Sequence, residues 1–277
     1  ARRMLDPLII CILLGLFVGF VMALTGAGGS ILAVPLLAFC LNLSLLQAAP
    51  IGLIAVTFAA TIGAIHGLRA GIVRYKAATL MAAFGVLFAP LGVWLAHRLP
   101  NQWLNLIFSV VLMVVAWRTW RRDLATPTMT EDNPSLACAV NPATSKLFWT
   151  ASCTKRLIAV GGLSGFLSGL LGVGGGFVVV PTLRKFSNLG IDAIVATSLA
   201  IIALVSAVSV ASYLLHGAMN WLIAIPFMFA TAFGMLAGRT LAGKLSSQYT
   251  QRSFAVLAWL IATVLIYQWA KIMLFGN

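Results

Sequence analysis

The sequence predicts an all-α membrane protein of about eight helical segments in two homologous repeats, which we expect to be inverted, with broken or re-entrant helices at two glycine motifs. Two observations support this fold class. Of the 277 residues, 61% are hydrophobic and only 8% are charged, a composition far from that of soluble domains. A glycine-rich motif also occurs twice, 146 positions apart. Both features are typical of a polytopic membrane protein built by duplication.

Eight apolar runs predict the long helices, because most of them approach the about 20 residues that a helix needs to cross a bilayer. The runs are residues 8–24, 48–65, 77–95, 103–117, 157–171, 193–215, 221–237 and 254–274. Two shorter apolar pieces, 31–41 and 177–183, follow the glycine motifs and are too short to cross alone. We expect the first run to be a membrane element and not a removed signal peptide, because further spans follow it.

The glycine motifs belong to a longer repeat. Residues 15–37 and 161–183 are identical at 10 of 23 positions. The shared residues include the pairs Gly26/Gly172, Gly28/Gly174, Gly29/Gly175 and Pro35/Pro181. These residue types set backbone geometry, so composition alone explains the matches poorly. Further anchors, matched with short gaps, are "HG" at His66 and His216 and "AFG" at Ala83 and Ala232. We expect a first repeat over 1–120, a cytoplasmic connector over 121–156 and a second repeat over 157–277.

The topology depends on the path after each motif. A straight helix through residues 8–46 would exceed the roughly 30 Å hydrocarbon core. A hairpin that re-emerges on its side of entry, followed by three crossings, gives inverted repeats and places 13 of 18 Lys and Arg inside. The rival, a break within one long crossing, gives parallel repeats with 12 inside. The positive-inside bias does not choose between them, and length favours the hairpin.

The net charge of +13 does not indicate nucleic acid, because the basic residues lie in short connections and form no continuous face. The four cysteines show no C-x-x-C spacing, so neither a disulfide framework nor a zinc site is expected. No cofactor is expected. The chain also lacks an H-E-x-x-H motif, an intramembrane acid pair and a recognisable Ser-His-acid set, so we do not expect an enzyme.

The glycine motifs are the candidate site. Gly26, Gly28, Gly29, Ser30 and Pro35 free backbone N–H and C=O groups that hydrocarbon cannot satisfy. We expect Ser30 to be the N-cap of the piece that follows, with the adjacent N–H groups open to an anion. The second copy would present a similar helix end near the same depth, across a pseudo-symmetry axis. Close packing is the alternative, which we accept for the G-x-x-x-G glycines that precede each motif.

Other polar residues in the spans are weaker candidates. Ser and Thr often bond back to their own helix; Thr197 and Ser198 are the best placed, because they follow the second motif closely. Arg239 is expensive within a span unless it faces water or an anion, although snorkelling is an alternative. The predicted substrate-binding residues are Thr25, Gly26, Gly28, Gly29, Ser30, Thr57, Gly172, Gly174, Gly175, Gly176, Thr197, Ser198 and Arg239. The predicted gating or proton-linked residues are His66 and His216, with interfacial capping as the alternative.

The doubled "GAGGSILAVPLL" and "GVGGGFVVVPTL", the "ATSLA" after the second copy and the basic connector resemble the TauE/SafE family of sulfite and organosulfonate transporters, also called the 4-toluene sulfonate uptake permease family. The resemblance implies a multi-pass secondary carrier of the bacterial inner membrane for sulfite, sulfonates or related sulfur oxyanions. It places both motifs at the transport site. The sequence departs from the repeat pattern at Ser30 and at residues 49–51, where a match to residues 196–198 is expected.

We therefore expect an exporter that moves a small anion through the lipid bilayer by alternating access, with no nucleic-acid partner. A passive anion channel using the same helix ends is one alternative, and a non-transporting subunit of a membrane complex is another. The particular anion and the oligomeric state stay open.

Overall fold

The protein is described from a computed structural model, which covers residues 2–26, 28–124, 151–187, 190–217, 219–242 and 247–275. These segments form ten α-helices and contain no strand. The helices are α1 Arg2–Thr25, α2 Gly28–Leu41, α3 Leu45–Arg69, α4 Tyr75–Arg98, α5 Asn101–Leu124, α6 Ala151–Leu171, α7 Gly176–Phe186, α8 Ile191–His216, α9 Trp221–Ala242 and α10 Ser247–Phe275. The predicted all-helical fold is confirmed.

Six helices in the described segments are long and apolar enough to cross a membrane: α1, α3, α4, α5, α8 and α9. The sequence predicts two more spans, in α6 and α10. Over the described residues α10 provides only a shorter apolar stretch, Arg252–Tyr267. Helix α6 begins with polar residues that include Lys155 and Arg156, and its glycines and serines lower its hydropathy further.

The chain reverses direction at each glycine motif. Gly26 has a left-handed φ of +78° directly after α1, and Gly29 of α2 packs against the backbone of Met22 in α1. In the second half, the carbonyl oxygen of Gly175 accepts a hydrogen bond of 3.0 Å from Ser164, which lies well before the end of α6. Helices α2 and α7 therefore run back along the helices that precede them.

Helices of the two halves pack together in pairs: α1 on α9, α4 on α6, α3 on α8 and α5 on α10. Gly19 of α1 packs on the backbone of Thr231 in α9, and Gly165 of α6 packs on the backbone of Gly85 in α4. Gly19 and Gly165 are 146 positions apart, and so are Gly85 and Thr231. The α1–α9 contact thus has a counterpart between α6 and α4.

Helices α3 and α8 form the centre of the bundle, since most of each span is buried inside the protein. A Cβ built on Gly63 would lie 2.7 Å from Leu199 Cδ1, and one built on Gly67 would lie 2.7 Å from Ala196 Cβ. The numbering rises along α3 while it falls along α8, so these two helices are antiparallel.

Most of the predicted connector, residues 125–150, lies outside the described part. At its two ends, residues 121–124 of α5 and 151–156 of α6 are helical. Cys153, buried in α6, takes part in a disulfide bond, whereas Cys11 and Cys40 are free. The sequence analysis expects no disulfide framework; a single isolated bond of this kind leaves no diagnostic spacing in a sequence.

Candidate functional site

The second glycine motif forms a tight break between α6 and α7. Gly172, Gly174 and Gly175 all have left-handed φ angles, between +67° and +74°. Gly175 is the N-cap of α7, and only glycine adopts this conformation without steric cost. The N–H of Gly172 donates to the carbonyl oxygen of Ser168 over 2.9 Å and closes the last turn of α6. The break therefore depends on glycine for its path.

The second break lies at the middle of the bundle. A Cβ built on Gly174 would lie 3.0 Å from Val56 Cγ1 and 3.2 Å from Ile202 Cγ2. Val56 is halfway along α3 and Ile202 is halfway along α8. Both helices are candidate spans, so this position lies halfway along two of them.

Four buried serines surround this break. Ser164 and Ser168 come from α6, and Ser206 and Ser209 come from α8; all four are completely buried. The hydroxyls of Ser168 and Ser209 lie 3.3 Å apart and share a hydrogen bond. In contrast, Ser206 Oγ has no hydrogen-bond partner among the described residues. Buried hydroxyls are normally paired, so this atom is a candidate partner for a ligand or an ordered water.

The first break is organised by a threonine. Thr25 Oγ1 accepts the N–H of Gly29 over 3.2 Å and donates to the carbonyl oxygen of Val21 over 2.8 Å. Helix α2 already begins at Gly28, so Ser30 lies in its first turn and not at the N-cap. The N-cap prediction for Ser30 is wrong, because the Thr25 hydroxyl already satisfies one N–H of that turn. Ser30 is completely buried.

Each break contacts the opposite half of the chain. A Cβ built on Gly26 would lie 2.7 Å from Val195 Cγ2, and Gly172 packs against Ala49. Gly26 and Gly172 are 146 positions apart, and so are Ala49 and Val195. Gly52 connects the regions, since its Cβ position is 3.0 Å from Val34 Cγ2 of α2 and 3.8 Å from the Gly172 carbonyl oxygen.

The other predicted hydroxyls make bonds within the protein. Thr57 Oγ1 donates to the Leu53 carbonyl oxygen over 2.7 Å, and Ser198 Oγ donates to that of Ile194 over 2.7 Å. Thr197 Oγ1 accepts the backbone N–H of Arg74 over 3.0 Å. Thr197 therefore ties the start of α8 to the turn between α3 and α4.

Arg239 lies where α9 packs against the end of α1. It is half-buried. A Cβ built on the preceding residue, Gly238, would lie 2.7 Å from Ala23 Cβ. Ala23 comes three residues before Gly26. Arg239 is therefore at the level of the first break.

The structure brings His216 together with a histidine that the sequence analysis treats as only interfacial. The ring centroids of His97 and His216 are 5.0 Å apart, and Tyr213 lies 5.3 Å from His97. Each histidine Nδ1 donates to the carbonyl oxygen four residues earlier in its helix, over 2.9 and 2.8 Å. The Tyr213 hydroxyl donates to the Gly169 carbonyl oxygen over 2.9 Å. His66, in contrast, is exposed at the end of α3.

The comparison with protein families decides the identification. The family model for the sulfite exporter TauE/SafE matches residues 11–265, and so covers both glycine motifs. This chain belongs to the TauE/SafE family. The resemblance predicted from the paired glycine motifs is confirmed, and the TauE/SafE protein is a multi-pass membrane transporter.

The similar curated proteins are bacterial. Two proteins of Xylella fastidiosa, strains Temecula1 and 9a5c, are each named probable membrane transporter protein. The first is 28% identical over 275 residues, which cover 97% of this chain and 98% of the relative. The probable membrane transporter protein YunE of Bacillus subtilis strain 168 is 24% identical over 267 residues, which cover 94% and 97% of the two chains. No solved structure matches this TauE/SafE protein significantly.

Proposed function

We propose that this TauE/SafE protein is a secondary transporter that exports sulfite, organosulfonates or related sulfur oxyanions across the bacterial inner membrane by alternating access. The family description, sulfite exporter, supports the substrate class and the direction. The bacterial relatives named as membrane transporters support the location. The transport reaction moves the anion without changing its covalent bonds.

The observation that carries the proposal is the second break. Helix α7 begins at Gly176. The N–H of Val178 donates to the carbonyl oxygen of the N-cap Gly175 over 3.1 Å, so the N–H groups of Gly176 and Phe177, which precede it, are the ones without an acceptor within the helix. Such a helix start carries partial positive charge and binds anions. Ser206 supplies an unpaired buried hydroxyl at this place, beside Gly174. A tetrahedral or pyramidal oxyanion has several acceptor oxygens and satisfies both kinds of donor together.

The first break supplies the other half of the proposed site. Thr25 orders Gly29 at the start of α2, and Gly26, Gly28 and Ser30 complete the motif. We assign Thr57 to the wall between the breaks, because it lies on α3 directly after Val56, which packs on Gly174. Arg239 attracts the anion at the level of the first break.

We assign Thr197, Ser198, His66 and His216 to the ends of the pathway. Thr197 bonds the turn between α3 and α4, and Ser198 lies beside it. His216 stacks on His97 where α8 meets α4 at the other end of α8. His66 lies at the end of α3, exposed. In the proposal, contacts at both ends open and close in turn around the central site.

Alternating access needs two units that move against each other. Inverted repeats provide such units, with the site at their interface. Three features support an inverted arrangement of the halves here: the antiparallel packing of α3 and α8, the contacts repeated at an offset of 146 positions, and the chain reversal at each motif. The break contacts of Gly26 with Val195 and of Gly172 with Ala49 then lie at opposite ends of the bundle.

The test is transport by the purified full chain in proteoliposomes. We expect sulfite uptake or efflux that saturates with substrate, and we expect unlabelled sulfonates to compete with labelled sulfite more strongly than carboxylates do. Protein-free liposomes and liposomes with the Gly174→Ala variant serve as controls. Inert proteoliposomes would contradict a transporter of these anions, and flux that stays linear with concentration would contradict a carrier.

A further inference from the structure

A lateral cavity lies apart from the four buried serines. Its volume is about 330 Å³, and it is bounded by α5, α6 and α7, with the end of α1 and the start of α10 behind it. Small-molecule sites in proteins have volumes from roughly 300 Å³ upward. The cavity extends along α5 from Val110 to Thr119 and along α7 from Phe177 to Arg184. At 1.5 Å of rise per helical residue, both walls are about 10 Å long or more.

The wall of the cavity contains two cations. Arg118 and Arg184 line it near the C-terminal ends of α5 and α7, together with the hydroxyls of Thr119 and Thr182. No acidic residue is among the described residues of its wall. Arg184 Nε is buried and has no hydrogen-bond partner among the described residues. A buried guanidinium nitrogen without an acceptor favours an anionic oxygen as its partner.

The rest of the wall is apolar and opens sideways. Val110, Val114 and Leu163 line the cavity and are each about half exposed, at 52%, 49% and 51%. On a membrane protein, an exposed apolar helix surface of this kind faces the acyl chains of the lipid. A molecule can therefore enter the cavity from the bilayer, with its apolar part in contact with these three side chains.

The two arginines of the cavity are not repeated in the sequence. Positions 146 residues from Arg118 and Arg184 hold Val264 and Ala38, so neither arginine has a charged counterpart in the other half. Both halves of the chain line the cavity, with Arg118 from the first and Arg184 from the second. The repeat therefore does not provide a second cavity with the same two charges.

We propose that this cavity binds one anionic phospholipid, with the phosphate on Arg118 and Arg184 and the first part of an acyl chain along Val110, Val114 and Leu163. Basic pockets between membrane helices bind anionic headgroups in this way. The hydroxyls of Thr119 and Thr182 donate to the carbonyl oxygens of Val115 and Val178, so the two arginines supply the donors to the phosphate. This inference does not depend on the identity of the transported anion.

The test is native mass spectrometry of the purified full chain titrated with phosphatidylglycerol or phosphatidylethanolamine. We expect one phosphatidylglycerol molecule to bind more tightly than the others, and more tightly than phosphatidylethanolamine. Arg184→Gln should weaken this binding about fivefold, the change that corresponds to roughly 1 kcal/mol for one cation near an anionic headgroup. Val114→Trp keeps both arginines, fills the apolar part and should also remove the tight binding.

Arg121→Gln is the matched control. Arg121 lies on α5 one turn beyond Arg118, stacks 4.8 Å from the Trp117 ring centroid and does not line the cavity. Equal loss of binding in Arg121→Gln and Arg184→Gln would overturn the proposal, because it would reflect overall charge only. Displacement of phosphatidylglycerol by millimolar sulfite or inorganic phosphate would also overturn it, since the site would then take a free anion. Unchanged binding by Arg184→Gln and Val114→Trp would exclude the site.

Discussion

Gly174 packs against Ser206: a Cβ built on the glycine would lie 3.0 Å from the serine Oγ. This hydroxyl is buried and unpaired within the described residues, and the glycine has a left-handed φ of +72°. A side chain at position 174 would therefore crowd the Ser206 hydroxyl. The glycine and the unpaired buried hydroxyl lie in direct contact at the break, so they are the pair to test for a role in substrate binding.

The variant Gly174→Ala tests this relationship. The added methyl group would cover Ser206 and the start of α7, so we expect substrate affinity to fall by about tenfold or more, the loss expected for a hydrogen bond to a charged group of roughly 1.5–3 kcal/mol. The measurement is the concentration dependence of sulfite transport in proteoliposomes. Gly71→Ala is the matched control, because Gly71 has a similar φ of +68° but no atom within 4 Å of its Cβ position.

Both glycine variants introduce the same left-handed strain of roughly 1–2 kcal/mol. Gly174→Ala also brings a methyl group to 3.0 Å from Ser206 Oγ and Val56 Cγ1, so it should lower thermal stability in detergent more than Gly71→Ala does. Equal transport by Gly174→Ala and Gly71→Ala would refute a role of the second break in binding.

The variant Ser206→Ala separates a ligand-binding hydroxyl from a structural one. Removal of an unpaired buried hydroxyl should leave the free energy of unfolding unchanged or raise it by about 1 kcal/mol, whereas KM for the anion should rise about fivefold. Ser209→Ala is the control. Ser209 is bonded to Val205 and Ser168, so this variant should lose about 1 kcal/mol of stability with KM unchanged. If Ser206→Ala behaved like Ser209→Ala, the hydroxyl would be structural.

The sequence predicts the breaks well because glycine and proline act on the backbone locally. Residues such as Gly175 need a conformation that other residues rarely adopt, and this requirement is visible without tertiary contacts. The same holds for the short helices α2 and α7, since an apolar piece after a glycine run is too short to span. The sequence analysis expects Ser30 to be the N-cap of the second helix, whereas α2 already begins at Gly28. The hydroxyl that accepts the N–H of Gly29 belongs to Thr25, which lies before the start of α2.

Matching by residue identity misplaces the second half of the repeat. The two "AFG" strings align Gly85 with Gly234, but Gly85 packs on Gly165 in the way that Thr231 packs on Gly19. Close helix contact needs a small residue on only one of the two helices. Gly234 packs on Leu16, and at the corresponding contact Gly162 faces Phe88. The glycine of this contact lies on α9 in the α1–α9 pair but on α6 in the α4–α6 pair. Sequence comparison cannot detect this exchange.

Contacts between distant segments account for the other missed residues. His97 lies at the end of α4 and meets His216 only because α4 and α8 pack together. Arg118 and Arg184 lie on α5 and α7 and share one cavity. Each of these residues is unremarkable in its own helix, and the chemistry arises from the pairing.

The proposed inverted arrangement predicts the sides from which two turns are accessible. Ala70 follows α3 and Gly217 follows α8; both are exposed. Because α3 and α8 are antiparallel and both span, Ala70→Cys should react with an impermeant thiol reagent from one side of the membrane and Gly217→Cys from the other. A Cys40→Ala background removes a free cysteine that would also react. Labelling of both positions from the same side would support parallel repeats and contradict the inverted arrangement.

The contact between His97 and His216 predicts that transport depends on how α4 and α8 meet. The two ring centroids lie 5.0 Å apart, and Nδ1 of each ring donates to a carbonyl oxygen of its own helix. In the proposed mechanism this contact opens and closes with the pathway. We therefore expect loss of either ring to change the transport rate several-fold.

The variants His97→Gln and His216→Gln should each change the transport rate, and the double variant should add little, because the two residues act as one unit. Tyr213→Phe is the control: it keeps the aromatic ring beside His97 and removes only the bond to Gly169, so the rate should be unchanged while stability falls by about 1 kcal/mol. The rate is measured in proteoliposomes with equal pH on both sides, so that no proton gradient contributes. A transport rate in the double variant identical to that of the wild type would show that the pair only caps its helices.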